Sequence, residues 1–157
     1  MRQFATFRID DRLFGINVLQ VREINRVLDI TPVPSAPAYV RGLVNLRGQV
    51  VTVFDLGVRL GLASREIGHL SHNIILKTSA ELSKLGALNS GDEFFRIQDA
   101  VGLLVDDIGD VVQATESDIE SPPANVADVQ GRFFSGVIEL ADDLLVILNM
   151  KEILIED

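Results

Sequence analysis

The chain contains a copy of part of itself. Gly42-Leu43-Val44-Asn45-Leu46 is matched 94 positions later by Gly136-Val137-Ile138-Glu139-Leu140, and the alignment continues without a gap. Val50 to Phe54 falls on Leu144 to Leu148, and Asp55-Leu56 falls on Asn149-Met150. Each copy reads as strand, tight turn, strand and short helix. An Asp or Asn heads each helix, where a side-chain oxygen can accept an orphan N–H of the first turn. Leu56 and Leu60 match Met150 and Leu154 on an apolar helix face, with Arg59 the exception opposite Ile153. A weaker echo sets Phe7-Arg8-Ile9-Asp10-Asp11 against Phe95-Arg96-Ile97-Gln98-Asp99, each followed by an apolar stretch with Gly15 or Gly102. A unit of this size buries too little surface to stand alone, so the two copies must pack on each other. Rich in Val and Ile and punctuated by Gly, they predict a mainly β pair of small barrels.

The intervening segments are read from local pattern. Asn17 is expected to cap a helix through Val27, with Val21, Ile24 and Leu28 on one stripe and Arg22, Glu23 and Arg26 elsewhere. Thr31 to Pro37 carries three prolines and must be a loop, with Ser35 expected to cap a short turn near Pro37. Asn73–Lys77, Val101–Val105, Ile108–Ala114 and Arg132–Leu140 read as strands. Residues 79–92 are small and polar, and are expected to form a flexible insertion outside the core.

Composition removes several functions. A net charge of -9 opposes nucleic acid, which demands clustered Lys and Arg, and opposes an anionic membrane surface. The chain has no cysteine, so disulfide frameworks and zinc–thiolate sites are excluded. The N-terminus alternates as a strand does rather than as a signal peptide does, and no run is long enough to span a membrane.

Catalytic chemistry finds no footing. His69 and His72 lie among loop residues with no completed ligand set, so no metal is expected. Asp10-Asp11, Asp106-Asp107 and Asp142-Asp143 fall between strand-like runs, where turn geometry alone favours Asp. No Gly-rich phosphate loop or nucleophile elbow is present. The expectation is no enzyme and no cofactor. What remains is apolar surplus in Val18, Val21, Ile24, Val44 and Ile108, which fits either a partner surface or the packing between the two units.

Ordered motifs then carry a family resemblance. Phe14-Gly15-Ile16, Val21-Arg22-Glu23-Ile24, the run from Pro34 through Gly42-Leu43-Val44-Asn45-Leu46-Arg47-Gly48, and Val53-Phe54-Asp55-Leu56 resemble the CheW family. Val101 to Ile108 and the Gly136 hairpin continue the likeness to about Leu154. The resemblance implies one domain over residues 1–157, built of two intertwined five-stranded SH3-like barrel subdomains with short helices. Subdomain 1 is expected at about 15–78, and subdomain 2 at about 95–157 plus the N-terminal strand.

It also implies a cytoplasmic scaffold associated with membrane receptor arrays. Such a scaffold joins methyl-accepting receptor tips to the regulatory domain of the histidine kinase CheA. By matching position, the receptor-binding residues are Val21, Glu23, Ile24, Gly42, Arg47 and Ile108. Arg47 has Ala141 as its repeat mate, which leaves a partner contact and a structural ion pair both open; Glu23 by itself reads as a solvated charge. At the expected kinase-binding positions, Glu120 and Asn125 stand where relatives often carry a basic and an aromatic residue. The segment between Lys77 and Val101 is also longer than the family's usual hairpin. Two other readings remain: an adaptor in a related pathway controlling pili, gliding or gene expression, and a small-barrel nucleic-acid binder, which the charge opposes.

Overall fold

The computed structural model describes residues 1–27, 29–78, 80–81, 100–122, 124–126 and 129–154. In chain order the strands are β1 (Arg2–Ile9), β2 (Arg12–Asn17), β3 (Val21–Arg26), β4 (Val40–Leu46), β5 (Gln49–Asp55), β6 (His72–Leu76), β7 (Val101–Val105), β8 (Asp107–Ala114), β9 (Asn125–Val126), β10 (Val129–Gln130), β11 (Phe134–Glu139) and β12 (Leu144–Leu148). Helix α1 (Leu56–Arg59) follows β5 and α2 (Met150–Leu154) follows β12. One five-stranded sheet runs β11-β12-β2-β1-β8 and the other β4-β5-β7-β6-β3; β9 and β10 make a separate ribbon.

The two strand orders are one pattern used twice. In each sheet a hairpin takes a parallel neighbour, which pairs with its own antiparallel mate and then with an edge strand. Gly42 faces Val53, and Val53 faces Gly102; 94 positions on, Gly136 faces Ile147, and Ile147 faces Gly15. Both hairpins shift register at the matching place, Val40/Gly42 and Phe134/Gly136. Even the isolated bridges agree, Thr31 with Leu43 and Glu120 with Val137. The repeat read from sequence is therefore a repeat of backbone register.

Two expectations are corrected. β7, expected in the second subdomain, completes the sheet of residues 21–76 by pairing parallel to β5, while β2 with Gly15 pairs parallel to β12. A parallel neighbour cannot come from a tight hairpin, so each hairpin draws it from a distant part of the chain. The units exchange strands, and the borders near 15 and 95 do not divide them. The helix expected from Asn17 to Val27 is also absent. Asn17 does cap, accepting the Leu19 N–H at 2.9 Å, but only a three-residue 3-10 turn, Val18–Gln20. β3 follows and pairs with β6. A register shift between Val21 and Glu23 disturbs the strict alternation of a strand, and that irregularity mimicked a helical stripe. Leu28 lies outside the described residues, as do Ser79 and residues 82–92 of the expected insertion.

The central core draws on both sheets and both helices, including Phe7 and Phe14 from one sheet, Leu76 and Leu103 from the other, and Leu56 and Ile153 from the helices. Truncating one such side chain costs about 2–5 kcal/mol. Arg59, the odd residue on the α1 face, is only 6% exposed. Its Nε donates to the Ile153 carbonyl at 2.8 Å and its NH2 to the Glu152 carbonyl at 3.0 Å. Its guanidinium lies 4.9 Å from the Tyr39 ring and 5.2 Å from that of Phe133, which are repeat mates. An arginine thus satisfies the last carbonyls of the other unit's helix.

Candidate functional site

β3 and the β4–β5 turn bring the expected charges into contact. Leu46 pairs with Gln49, leaving Arg47 and Gly48 as a two-residue turn with φ of 51° and 84°. Positive φ at both positions is what the twist of a two-residue hairpin demands, and Gly or Asn meets it most easily. Arg47 bears the strain, on the order of 1 kcal/mol for a residue with a Cβ. Asn45 steadies the turn by accepting the Gly48 N–H at 2.9 Å. From there Arg47 NH2 reaches Glu23 Oε1 at 2.5 Å. β3 and β4 are opposite edges of their sheet, so this pair links the two edges. Arg22 of β3 also reaches this hairpin, donating from NH1 to Gln49 Oε1 at the start of β5 at 2.9 Å. The hydrogen bond from Arg47 holds the Glu23 carboxyl below the usual carboxylate range. Partial burial opposes this; the Arg47 charge, a hydrogen bond from Asn25 and the Arg22 charge reinforce it.

The apolar candidates lie on equivalent edge strands. Val21 pairs with Leu76, and Ile108 of β8 pairs with Phe7, the matching residue of the other sheet. Val21 and Ile108 are thus repeat mates, and both pack partly buried against the central core. Ile24 pairs with Ile74 as Val111 pairs with Ala5. Ile24 is 40% exposed and Val111 56%. Val111 is a candidate that the sequence reading missed; its signal was the position matching Ile24 on the paired edge strand, visible only once the register was known.

Gly42 presents no side chain. It is buried with φ of 147°, and an added Cβ would stand 2.3 Å from the Thr31 carbonyl oxygen. It fixes the hairpin rather than offering a contact. Glu120 is exposed, while its backbone exchanges bonds of 2.8 and 2.9 Å with Val137. Its side chain borders a cavity of about 360 Å³ that also meets Asp118 and Glu139. Asn125 opens β9 opposite Gln130.

The remaining polar features are structural. His72 Nδ1 lies 2.8 Å from the Leu70 carbonyl. Among the described residues no group of three or more His, Asp or Glu could hold a metal. Asp10 and Asp11 form the turn between β1 and β2, and Asp142 and Asp143 lie between β11 and β12, but of the third doublet only Asp106 lies between strands, since Asp107 opens β8. Asp106 accepts the Asp10 N–H at 2.6 Å and Arg65 Nε at 2.8 Å; Asp143 accepts Arg8 NH2 at 2.6 Å and the Leu144 N–H at 2.9 Å. Sequence reading also missed Arg22, which lies 3.9 Å from Glu23 and 3.6 Å from Glu81. The sequence pattern places it on the polar face of a helix, whereas it lies on β3.

The charged pair Arg47–Glu23 thus lies on β3 and the β4–β5 turn, with Val21 and Ile24 on the same edge strand. A family model described as the CheW-like domain matches residues 3–157. The chain belongs to this family. It is 28% identical to the chemotaxis protein CheW of Treponema pallidum, over 96% of this chain and 81% of that relative. With the chemotaxis protein CheW of Rhizobium meliloti it shares 31% identity over 97% of this chain and 86% of the relative. Its fold is similar to the crystal structure of the scaffolding protein TtCheW from Thermoanaerobacter tengcongensis, with a TM-score of 0.80 at 24% identity, covering 99% of this chain and 89% of that one. As a CheW-like protein the chain is a non-catalytic chemotaxis coupling adaptor. No helix among its described residues is long and apolar enough to cross a membrane.

Proposed function

We propose that this adaptor seats the cytoplasmic tip of a methyl-accepting receptor on β3, the β4–β5 turn and β8, and holds a CheA-type regulatory domain near Glu120 and Asn125, within a membrane-associated receptor array. The observation that carries the receptor reading is the Arg47–Glu23 pair, formed by an arginine at φ 51° where glycine or asparagine would turn more easily. Accepting that strain is reasonable where the guanidinium itself is needed. Receptor tips are helical hairpins, and a helix presents an apolar stripe flanked by charges. Val21, Ile24 and Ile108, with Val111 at the position that matches Ile24, offer the apolar counterpart, and Arg47 and Glu23 the rim that orients it. Gly42 serves this face by fixing the hairpin.

The test is binding of a receptor-tip fragment and of a kinase regulatory domain, measured side by side. Arg47→Ala and Glu23→Ala are each expected to weaken the receptor fragment several-fold, about 1 kcal/mol as rim charges go, with kinase binding unchanged. Equal loss towards both partners would assign the pair a purely structural role.

A further inference from the structure

The repeat predicts how each place in one sheet should be filled from its mate in the other, and beside the two helices the mates differ in charge. At the end of β5, Arg41 NH1 meets the buried Asp55 at 2.9 Å, so that carboxylate has its cation within the sheet. The repeat mates of Arg41 and Asp55 are Ser135 and Asn149. A hydroxyl and an amide replace a guanidinium and a carboxylate. A cavity of about 250 Å³ lies there, lined by both residues, by Arg2 and Gln20, and by apolar side chains including Phe4 and Leu148.

Gln20 supplies a second, separate observation. It is 3% exposed, and its side-chain Nε2 has no hydrogen-bond partner. Its backbone is fixed, since its carbonyl accepts the Lys77 N–H at 2.8 Å. A buried amide donor without an acceptor is rare in folded proteins and calls for one. The other polar groups match a negative acceptor. Arg2 brings a positive charge, its NH1 3.4 Å from the exposed Glu116. Ser135 and Asn149 can both donate. The carboxylate that Asp55 supplies in the other sheet is missing here. Phe4 and Leu148 provide an apolar wall for a small hydrocarbon body.

We infer that this cavity is a binding site for a small monocarboxylate, its carboxylate received by Gln20 Nε2 with Ser135, Asn149 and Arg2, and its apolar part against Phe4 and Leu148. An apolar cavity of about 150 Å³ holds benzene, so this one has room for a benzoate-sized molecule. None of the four polar residues belongs to the proposed receptor or kinase surfaces, and the inference stands whether or not those are right.

The experiment is an NMR titration of the full chain with benzoate and with butyrate, using benzamide and butyramide as neutral controls. Saturable binding of the carboxylates is expected, with the Gln20 side-chain amide resonances moving and the neutral controls binding several-fold more weakly. Gln20→Leu removes the donor and is expected to weaken benzoate about tenfold, the loss of one hydrogen bond to a charged group. Ser135→Arg, which places the side chain of its repeat mate Arg41 at the cavity, is expected to abolish binding; it carries the test if Gln20→Leu fails to fold. Absence of saturable binding would overturn the inference, as would equal affinity for benzamide or full affinity in the folded Gln20→Leu protein. A Gln20 amide that contacts only bound water and ignores every titrant would also overturn it, showing a hydrated cavity and no more.

Discussion

The two hairpins of the repeat share strands and register but end differently. At the β4–β5 end, Arg47 takes a left-handed conformation and reaches across to Glu23 on the far edge of its own sheet. At the β11–β12 end its repeat mate is Ala141, which has no charge to offer. There Asp143 turns inward, accepting the Leu144 N–H at 2.9 Å and pairing at 2.6 Å with Arg8 of β1. One turn extends a charge across to the far edge strand of its sheet, and the other pairs with a strand inside its own sheet. The same contrast marks the return connections. β1 and β2 join through Asp10-Asp11 alone, whereas the equivalent β6 and β7 are separated by residues 77–100. Duplication gives two equal frameworks, and function shows where equal positions stop being treated equally.

The largest effect should come from what the units hold in common. Phe14→Ala in one sheet and Leu103→Ala in the other remove fully buried side chains from one shared core. Each is expected to cost about 2–5 kcal/mol, with both sheets melting in one transition by calorimetry and near-ultraviolet dichroism. Separate transitions would mean that the units are independent, and the comparison between them would lose its basis.

A sharper contrast lies in the paired glycines. An alanine Cβ at Gly42 meets the Thr31 carbonyl oxygen at 2.3 Å, with φ at 147°. At Gly136 the nearest atom is the Ile119 side chain at 2.6 Å, which can rotate, with the Glu120 carbonyl oxygen at 3.2 Å. Gly42→Ala should therefore destabilise by about 2–3 kcal/mol, and Gly136→Ala by clearly less. Equal losses in chemical denaturation would show that the hairpins tolerate change alike.

Partner binding should separate the turns next. Ala141→Arg, which gives the second turn the first turn's charge, is expected to leave receptor-fragment affinity unchanged, where Arg47→Ala lowers it several-fold. On the kinase side, Glu120→Arg and Asn125→Phe are each expected to raise assembly with a CheA regulatory domain. Unchanged affinity for both would put these positions outside that interface.

The sequence carried more of the framework than of the site. The repeat was legible because Gly42, Gly136, Gly15 and Gly102 mark equivalent backbone positions, and such positions constrain residue type strongly. The segment from Asn17 to Val27 misled because its capping residue is real, while the shift between Val21 and Glu23 hides the strand period. Strand exchange was invisible, since β7 lies near β8 in sequence but pairs with β5 through space. At the surface, Arg47 and Glu23 came from family likeness alone, and their contact required the two edges of one sheet to meet. Arg22 and Val111 needed the register itself.

The smallest effect concerns acid, where the two turns should behave alike. Arg47 lowers the Glu23 carboxyl and Arg8 lowers that of Asp143, in each case chiefly by a hydrogen bond to the charged form. A carboxyl depressed in the folded state adds stability that is fully present above its unfolded value and is lost as pH falls through the folded one. Stability should therefore hold from neutral pH to the ordinary carboxylate range and then decline below it. Both pairs are partly exposed, Arg47 at 66% and Arg8 at 41% of their side chains, so each contributes little and salt weakens it. Glu23→Gln and Asp143→Asn should each flatten the acid limb of the pH–stability curve slightly, without shifting the neutral plateau by more than about 1 kcal/mol. Denaturant midpoints across that range would measure it. A much steeper acid dependence on Glu23 than on Asp143 would mean that the Arg47 pair holds the edges of its sheet together, and the strained turn would then serve the barrel rather than the receptor.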